Sequence, residues 1–402
     1  MAGTNLGRRA VLGGAALLGA GRFLGSARAQ GSPVRIGVLT DESGPYADSG
    51  GAGSITAARM AVQDFGKTVL GNPIEIIHAD TQNKPDIAGS LAREWYDSGV
   101  DAIIDLPVTP VAAAVQNIAR EKIRTVMITA SAISEFTSKN CAPISSHWAD
   151  DTHALSTAIG KVVTSQGGDT WFFITVNFSF GEGLQAAATT VIEASGGKVL
   201  GSTKFPINNP DFSSQILQAQ SSGAKVIGLA SVGGDQVNLI KQAAEFGSQV
   251  NGKQKLAAFL VYITDIHALG LQVAQGLTFS SSFYWDQNDA ARAFAKRFSA
   301  ERKAMPTKNQ ASVYAGTLHF LRGMASAGTR DAVAVNKAMR AIPVDFFGRP
   351  ATLREDGRLL CDLKIYRVKT PAESQAPWDY YTEIGGLPAA EAFLPINPAC
   401  QT

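Results

Sequence analysis

The sequence predicts an α/β protein made of two doubly wound parallel-sheet lobes joined by three crossings. Three observations predict it. Short β-branched runs alternate with helical periodicities from residue 34 onward, which is the pattern of a parallel sheet covered by helices on both faces. An irregular stretch at 130–148 divides that alternation into two series of similar size. Three helical segments without strands then follow at 290–342, and they need a sheet made elsewhere to pack on. The 402-residue length agrees, because single hydrophobic cores stop growing near 250–300 residues.

In the first series Val34–Thr40 reads as a buried strand, and the helix after it has apolar positions at Ile55, Met60, Ala61 and Phe65. Pro73–Asp80 is the next strand and Ile87–Ser98 the next helix. Asp101–Leu106, Ala112–Glu121 and Arg124–Thr129 follow as strand, helix and strand. Near-continuous apolar runs fit strands buried on both faces.

The second series opens with the helix Thr152–Gln166, the strand Thr170–Val176 and the helix Gly183–Ser195. Lys198–Phe205 and Lys225–Leu229 are strands, each followed by a helix, Phe212–Ser221 and Gly234–Phe246. Leu256–Tyr262 and Leu277–Phe283 add two more strands. The helices Ala290–Lys303, Gln310–Ala327 and Asp331–Ile342 return to complete the first lobe. A β-rich tail, Ala351–Leu353 and Leu359–Val368 around an Asp356-Gly357 turn, covers the second. The expected lobes are 30–146 with 284–347, and 147–283 with 348–402. Crossings near 144–149, 281–285 and 345–350 make a hinge, with a cleft between the carboxyl ends of both sheets.

Residues 1–29 read as an export signal rather than as part of the fold. Arg8 and Arg9 form a twin-arginine pair, an uncharged run spans 10–21, and Ala27-Arg28-Ala29 offers small residues before a cleavage site. That run is too short and too rich in glycine to span a bilayer of roughly 30 Å. Four of the 36 basic residues (Arg8, Arg9, Arg22, Arg28) lie in this segment, which holds no acid; the rest of the chain carries 32 basic against 34 acidic residues. The basic balance thus belongs to the signal and gives no argument for a nucleic-acid partner.

Motifs of catalysis and metal binding fail one by one. Gly51 and Gly53 open a helix after the first strand, but Thr56 stands where a dinucleotide-binding loop needs its third glycine. Asp48-Ser49-Gly50-Gly51 lacks the strand-turn-helix context of a nucleophile elbow. The five histidines, 78, 147, 153, 267 and 319, never form H-E-x-x-H. Asp150 and Asp151 precede a helix and read as N-cap and dipole partners. No enzyme activity, cofactor or metal is expected. The three cysteines, Cys141, Cys361 and Cys400, contain no CxxC pair; one disulfide plus one free thiol is the simplest arithmetic for an exported chain, and spacing does not choose the pair.

What remains is a set of loops after strands, facing the cleft. They carry Tyr46 and Ser49, Val108 and Thr109, Ser131 and Ala132 in the first lobe. In the second they carry Phe178, Ser179, Phe180, Gly233 and Asp265, with Tyr284 and Trp285 at the second crossing. Hydroxyls, backbone N–H groups at helix starts and aromatic rings suit an organic anion with an apolar body.

The same loops resemble a known family. Ser43-Gly44-Pro45-Tyr46, Asn177-Phe178-Ser179-Phe180-Gly181, Ala230–Asp235, Thr264–Gly270 running into Ala274–Leu277, Phe283–Asp289 and Pro377–Tyr381, in that order, are similar to the branched-chain amino-acid type of periplasmic solute-binding protein. The resemblance spans nearly the whole chain after the signal. It implies a type I periplasmic binding protein fold, a periplasmic monomer without catalysis, and as partners a small organic ligand, a membrane permease and the ATPase of an ATP-binding cassette importer. It also implies ligand contacts at Ser131, Ala132, Phe178 and Asp265.

One departure redirects the ligand. Val108 stands where amino-acid binders of this family place a hydroxyl for the α-carboxylate, with Thr109 next; Asp265, which could meet an α-ammonium, argues the other way. Phe-Tyr-Trp-Asp at 283–286 resembles the subgroup that binds aromatic and other carboxylic acids, and Tyr46, Phe178, Phe180, Tyr284 and Trp285 would suit a ring. The expectation is therefore an aromatic or similar organic acid, with a branched-chain amino acid or a urea-like amide second. A ligand sensor for a membrane receptor is the alternative of another class. The relatives keep cysteines where Cys141 and Cys400 stand, which implies a disulfide between them and leaves Cys361 apart.

Overall fold

The computed structural model describes residues 31–246 and 254–400. The export signal read at 1–29 lies outside the described residues. In chain order the first part gives β1 (Val34–Thr40), α1 (Gly51–Phe65), β2 (Thr68–Val69), β3 (Asn72–Asp80), α2 (Pro85–Asp97) and β4 (Ala102–Asp105). It continues with α3 (Thr109–Lys122), β5 (Thr125–Ile128), a single turn of tighter helix at Ser134–Thr137, and β6 (Ser145–His147). The second part gives α4 (Thr152–Ser165), β7 (Thr170–Val176), α5 (Ser179–Ala194), β8 (Lys198–Phe205), α6 (Ser213–Ser221) and β9 (Val226–Ala230). Then come α7 (Gly233–Glu245), β10 (Lys255–Ala258), α8 (Ile263–Leu269), α9 (Leu271–Ala274) and β11 (Thr278–Ser281). The last part holds α10 (Asp289–Arg302), α11 (Lys308–Ala327), α12 (Ala332–Ala341), β12 (Val344–Phe346), β13 (Arg349–Leu353) and β14 (Leu359–Leu360). β15 (Leu363–Val368), β16 (Tyr381–Leu387) and α13 (Ala389–Ala392) end it.

Two parallel sheets organise these elements. The first runs β2-β3-β1-β4-β5-β6, parallel except for the short β2. The second runs β10-β9-β7-β8, parallel throughout. In each, the strand order reverses beside the first strand, between β1 and β4 and between β7 and β9. Those reversals open crevices at the carboxyl ends of the strands, where α/β sheets bind ligands. The strands are short and apolar, as the alternation predicts: Val34, Ile36, Val38 and Leu39 of β1 are fully buried.

The helices without strands return to the first sheet. Phe294 and Phe298 of α10, Phe320, Leu321 and Met324 of α11, and Val335 and Met339 of α12 share one apolar cluster with Val34, Ile36 and Ile104. The tail divides differently from the reading at 345–350. β13 pairs with β12, and Ala351, Leu353 and Leu359 pack into that same first cluster. The return to the other side comes only at Leu363, which packs on Ala154 and Ala158 of α4, while β15 pairs with β11 and β16. β10 is also shorter than its apolar run: α8 begins at Ile263, and the Asp265 carboxylate accepts from Tyr262 N at 3.0 Å, pulling that segment out of the ladder.

A disulfide joins Cys141 to Cys400, with Cα atoms 5.6 Å apart, and Cys361 is a free, buried thiol. Among the described residues no helix is long and apolar enough to cross a membrane.

Candidate functional site

A cavity of about 330 Å³ lies between loops that follow the carboxyl ends of strands in both parallel sheets. Tyr46 and Ser49 follow β1, Pro107 and Thr109 follow β4, and Ala130 and Ala132 follow β5. From the other sheet come Phe178 and Phe180 after β7, Val232 after β9, and Leu260 and Tyr262 after β10. Asn309, in the first turn of α11, completes the wall.

Local chemistry explains how each loop is held. Buried Asp41 accepts from Gly44 N (2.7 Å), Tyr46 N (2.9 Å) and Asn83 Nδ2 (2.8 Å), which fixes the turn that presents Tyr46. α11 then clamps the same loop: Thr307 Oγ1 donates to Ser49 O at 2.7 Å, and Gln310 Nε2 donates to Gly50 O at 3.1 Å. At the end of β4, Asp105 (φ 91°) and Leu106 (φ 68°) are two successive non-glycine residues with positive φ, a strained turn of the kind that collects at ligand sites. Ser131 sits beneath Thr109, their hydroxyl oxygens 3.1 Å apart.

Residues around 147–151 form a buried polar network. Burial, and then the Arg358 charge, hold His147 well below its ordinary pKa, so it is neutral. Its Nε2 donates to Ser131 O (2.7 Å) and its Nδ1 accepts from Arg358 Nη1 (2.8 Å). Arg358 also meets Asp151 Oδ2 at 3.4 Å, and Lys308 meets Asp150 Oδ2 at 3.0 Å. Arg358 and Lys308 thus pair with Asp151 and Asp150, and neither lines this cavity.

On the second side, α5 can start where it does only because residue 181 is glycine; a Cβ there would fall 2.2 Å from Val176 O. Gly233, at φ 67°, brings α7 against the first lobe, with Gly234 N donating to Pro45 O at 3.3 Å. Asn309 Nδ2 donates to Tyr262 Oη at 3.0 Å. Burial raises the phenols of Tyr46 and Tyr262, so both present neutral hydroxyls.

The helix starts around this cavity share a property. α1, α3, α5 and α7 have Gly50, Val108, Phe178 and Val232 as N-caps, and none makes a side-chain capping bond. Each lacks the usual side-chain acceptor at its N-cap, although Gly51 N of α1 finds Thr40 Oγ1 at 2.9 Å and Pro110 of α3 has no N–H. α2 and α6, away from the cavity, also lack one; α2 begins with Pro85, which has no N–H, and Phe212 N, at the start of α6, finds Gln242 Oε1 at 2.8 Å.

Of the residues singled out in the sequence, Tyr46, Ser49, Thr109, Ala132, Phe178 and Phe180 line the cavity. Val108 and Ser131 are buried behind it, Ser179 is exposed, and Gly233 forms the contact with Pro45. Asp265 is turned toward the start of its own helix, and burial pushes its carboxyl up to about 7. Tyr284 and Trp285 hold the tail instead: Tyr284 Oη (3.3 Å) and Trp285 Nε1 (2.9 Å) both donate to Trp378 O, and Trp378 stacks on His267 at 4.0 Å. Sequence reasoning missed Tyr262 and Asn309. Tyr262 follows a strand and could have been found by the strand-end rule; Asn309 starts a returning helix and follows no strand.

Comparison with known proteins places this architecture. The family model described as periplasmic binding protein matches residues 33–375. The chain is 41% identical to a periplasmic binding protein from Burkholderia mallei, over 92% of this chain and 98% of that one, with a TM-score of 0.88. It is 37% identical to a branched-chain amino acid ABC transporter periplasmic ligand-binding protein from Burkholderia xenovorans, over 90% and 97% of the two chains, with a TM-score of 0.80. The fold is shared with an ABC transporter solute-binding protein from R. palustris solved in complex with benzoate, at 20% identity, 89% and 97% coverage and a TM-score of 0.79. Among curated proteins none matches. The chain belongs to the periplasmic binding protein family of ABC transporters and has its type I fold.

Proposed function

We propose that this chain is exported by the twin-arginine signal at 1–29, closes its lobes around a small organic acid, an aromatic carboxylate foremost, and delivers it to the permease and ATPase of an importer without catalysing a reaction. One observation carries the reading: the cavity wall contains no acidic and no basic side chain, while uncapped helix starts and hydroxyls surround it. Amide donors with the positive end of the helix dipole behind them favour a carboxylate. The rings of Tyr46, Phe178, Phe180 and Tyr262 supply an apolar body with faces for another ring.

A branched-chain amino acid is the second reading, favoured by the 37% identity to the Burkholderia xenovorans protein. An α-ammonium needs a carboxylate or several carbonyls, and the nearest acid by sequence expectation, Asp265, spends itself on Tyr262 N. Calorimetric titration of the refolded, ligand-free protein tests the choice. Benzoate-like and cinnamate-like acids should bind and leucine should not; binding of leucine alone overturns the acid.

A further inference from the structure

A second cavity, of about 230 Å³, lies behind Tyr262, whose ring lines both. Its walls include Ser281, Tyr284, Thr307, Lys308 and Tyr381. Lys308 is 5% exposed. Its ammonium donates to Asp150 Oδ2 (3.0 Å) and Ser280 O (3.4 Å), and lies 5.8 Å from the Tyr262 ring centroid. An ammonium has three protons to give, so one is unassigned. Tyr381 is 6% exposed and packed between rings, at 4.7 Å from Phe279 and 4.6 Å from Tyr284, yet its Oη is buried with no hydrogen-bond partner. Folded chains rarely leave such a hydroxyl unmatched.

We propose that this second cavity is a distal subsite of the ligand site, taking a neutral hydroxyl or carbonyl at the far end of an organic acid whose carboxylate sits at the helix starts of the first cavity. The proposal rests on the reading of the first cavity as an acid site. Neutrality follows from the charges present. Lys308 and Asp150 already cancel, so a second carboxylate would be buried without a cation of its own, and an ammonium would face Lys308. A hydroxyl or carbonyl oxygen accepts from Tyr381 Oη and from the remaining Lys308 proton without adding charge. The ligand is therefore an elongated acid with a polar end, and the Tyr262 ring, tethered by Asn309, is the partition it passes.

Titration calorimetry with matched pairs, benzoate against 4-hydroxybenzoate and cinnamate against 4-hydroxycinnamate, tests this in wild type and in Tyr381→Phe. The hydroxylated member of at least one pair should bind about three- to tenfold tighter in wild type, the worth of one net hydrogen bond. Tyr381→Phe should erase that preference, leave the unsubstituted acid unchanged, and keep the melting temperature, since it removes only an unpartnered oxygen. A preference that survives the substitution, equal weakening of both members, or no preference in wild type overturns the subsite. Failure of all four acids to bind overturns the reading of the first cavity, and the subsite with it.

Discussion

Several helix starts in this molecule are capped and several are not, and the contrast between α4, α10 and α12 on one hand and α1, α3, α5 and α7 on the other bears on function; α11, which also reaches the cavity, is capped by Thr307. Away from the cavity, Asp151, Asn288 and Asp331 cap α4, α10 and α12 by accepting from the amide three residues on, at 2.8–2.9 Å. Around the cavity, Gly50, Val108, Phe178 and Val232 stand at the corresponding positions and cap nothing. A helix start with an apolar cap is less stable on its own by about 1 kcal/mol. Repeating that loss around one cavity leaves first-turn donors there for something that comes and goes, even though Gly51 N and Gly234 N are already taken by Thr40 Oγ1 and Pro45 O.

The contrast can be broken from either side. The largest effect is expected at Asp151, which caps α4 with one carboxylate oxygen and faces buried Arg358 with the other. Asp151→Ala removes the cap and strands a fully buried guanidinium, which should cost about 3–5 kcal/mol in urea denaturation. A loss near 1 kcal/mol would mean that only the cap mattered.

Asp265 is the intermediate case, a helix start beside the cavity closed by its own carboxylate. Burial raises this group to about 7, whereas in the unfolded chain it ionises near 4. Its contribution to stability is therefore fully present below about pH 4 and is lost as the pH rises through about 7. Between about pH 5 and pH 8, wild type should lose stability and Asp265→Asn should lose measurably less, by a few kcal/mol. Equal slopes for the two proteins would unlink this carboxyl from folding.

Val232→Asp converts an uncapped start into a capped one. It should stabilise the empty protein by about 1 kcal/mol and weaken carboxylate binding by about a hundredfold, because two like charges would share the cavity. Tighter binding would instead reveal a cationic group on the ligand. The smallest effect is expected at Asp331, where alanine should cost about 1 kcal/mol in melting experiments and leave ligand affinity unchanged.

Much of the fold is legible in the residues because buried parallel strands announce themselves as apolar runs. Val34–Thr40 and Thr170–Val176 begin and end where the runs do. Strands that draw their stability from neighbours stay hidden. β6 is Ser-Ser-His and is held by pairing with β5, and β16 carries Gly385-Gly386 and is held by β15. The site divides in the same way. Loops after strands identify Tyr46, Thr109 and Phe178, because position along the chain fixes which end of the sheet they occupy. Asn309 reaches the cavity only through the return of α11, and Tyr284 and Trp285 are claimed by the Trp378 carbonyl; both outcomes depend on packing between segments far apart in sequence.

The link between Cys141 and Cys400 spans 259 residues and turns most of the described chain into a covalent ring. A single proteolytic cut anywhere inside that ring, for example in the exposed stretch at 371–373, opens the ring but releases no fragment. Such a molecule keeps its mass and runs as one species on a gel until a reductant separates the pieces. Integrity of a preparation is therefore a property to be read only after reduction.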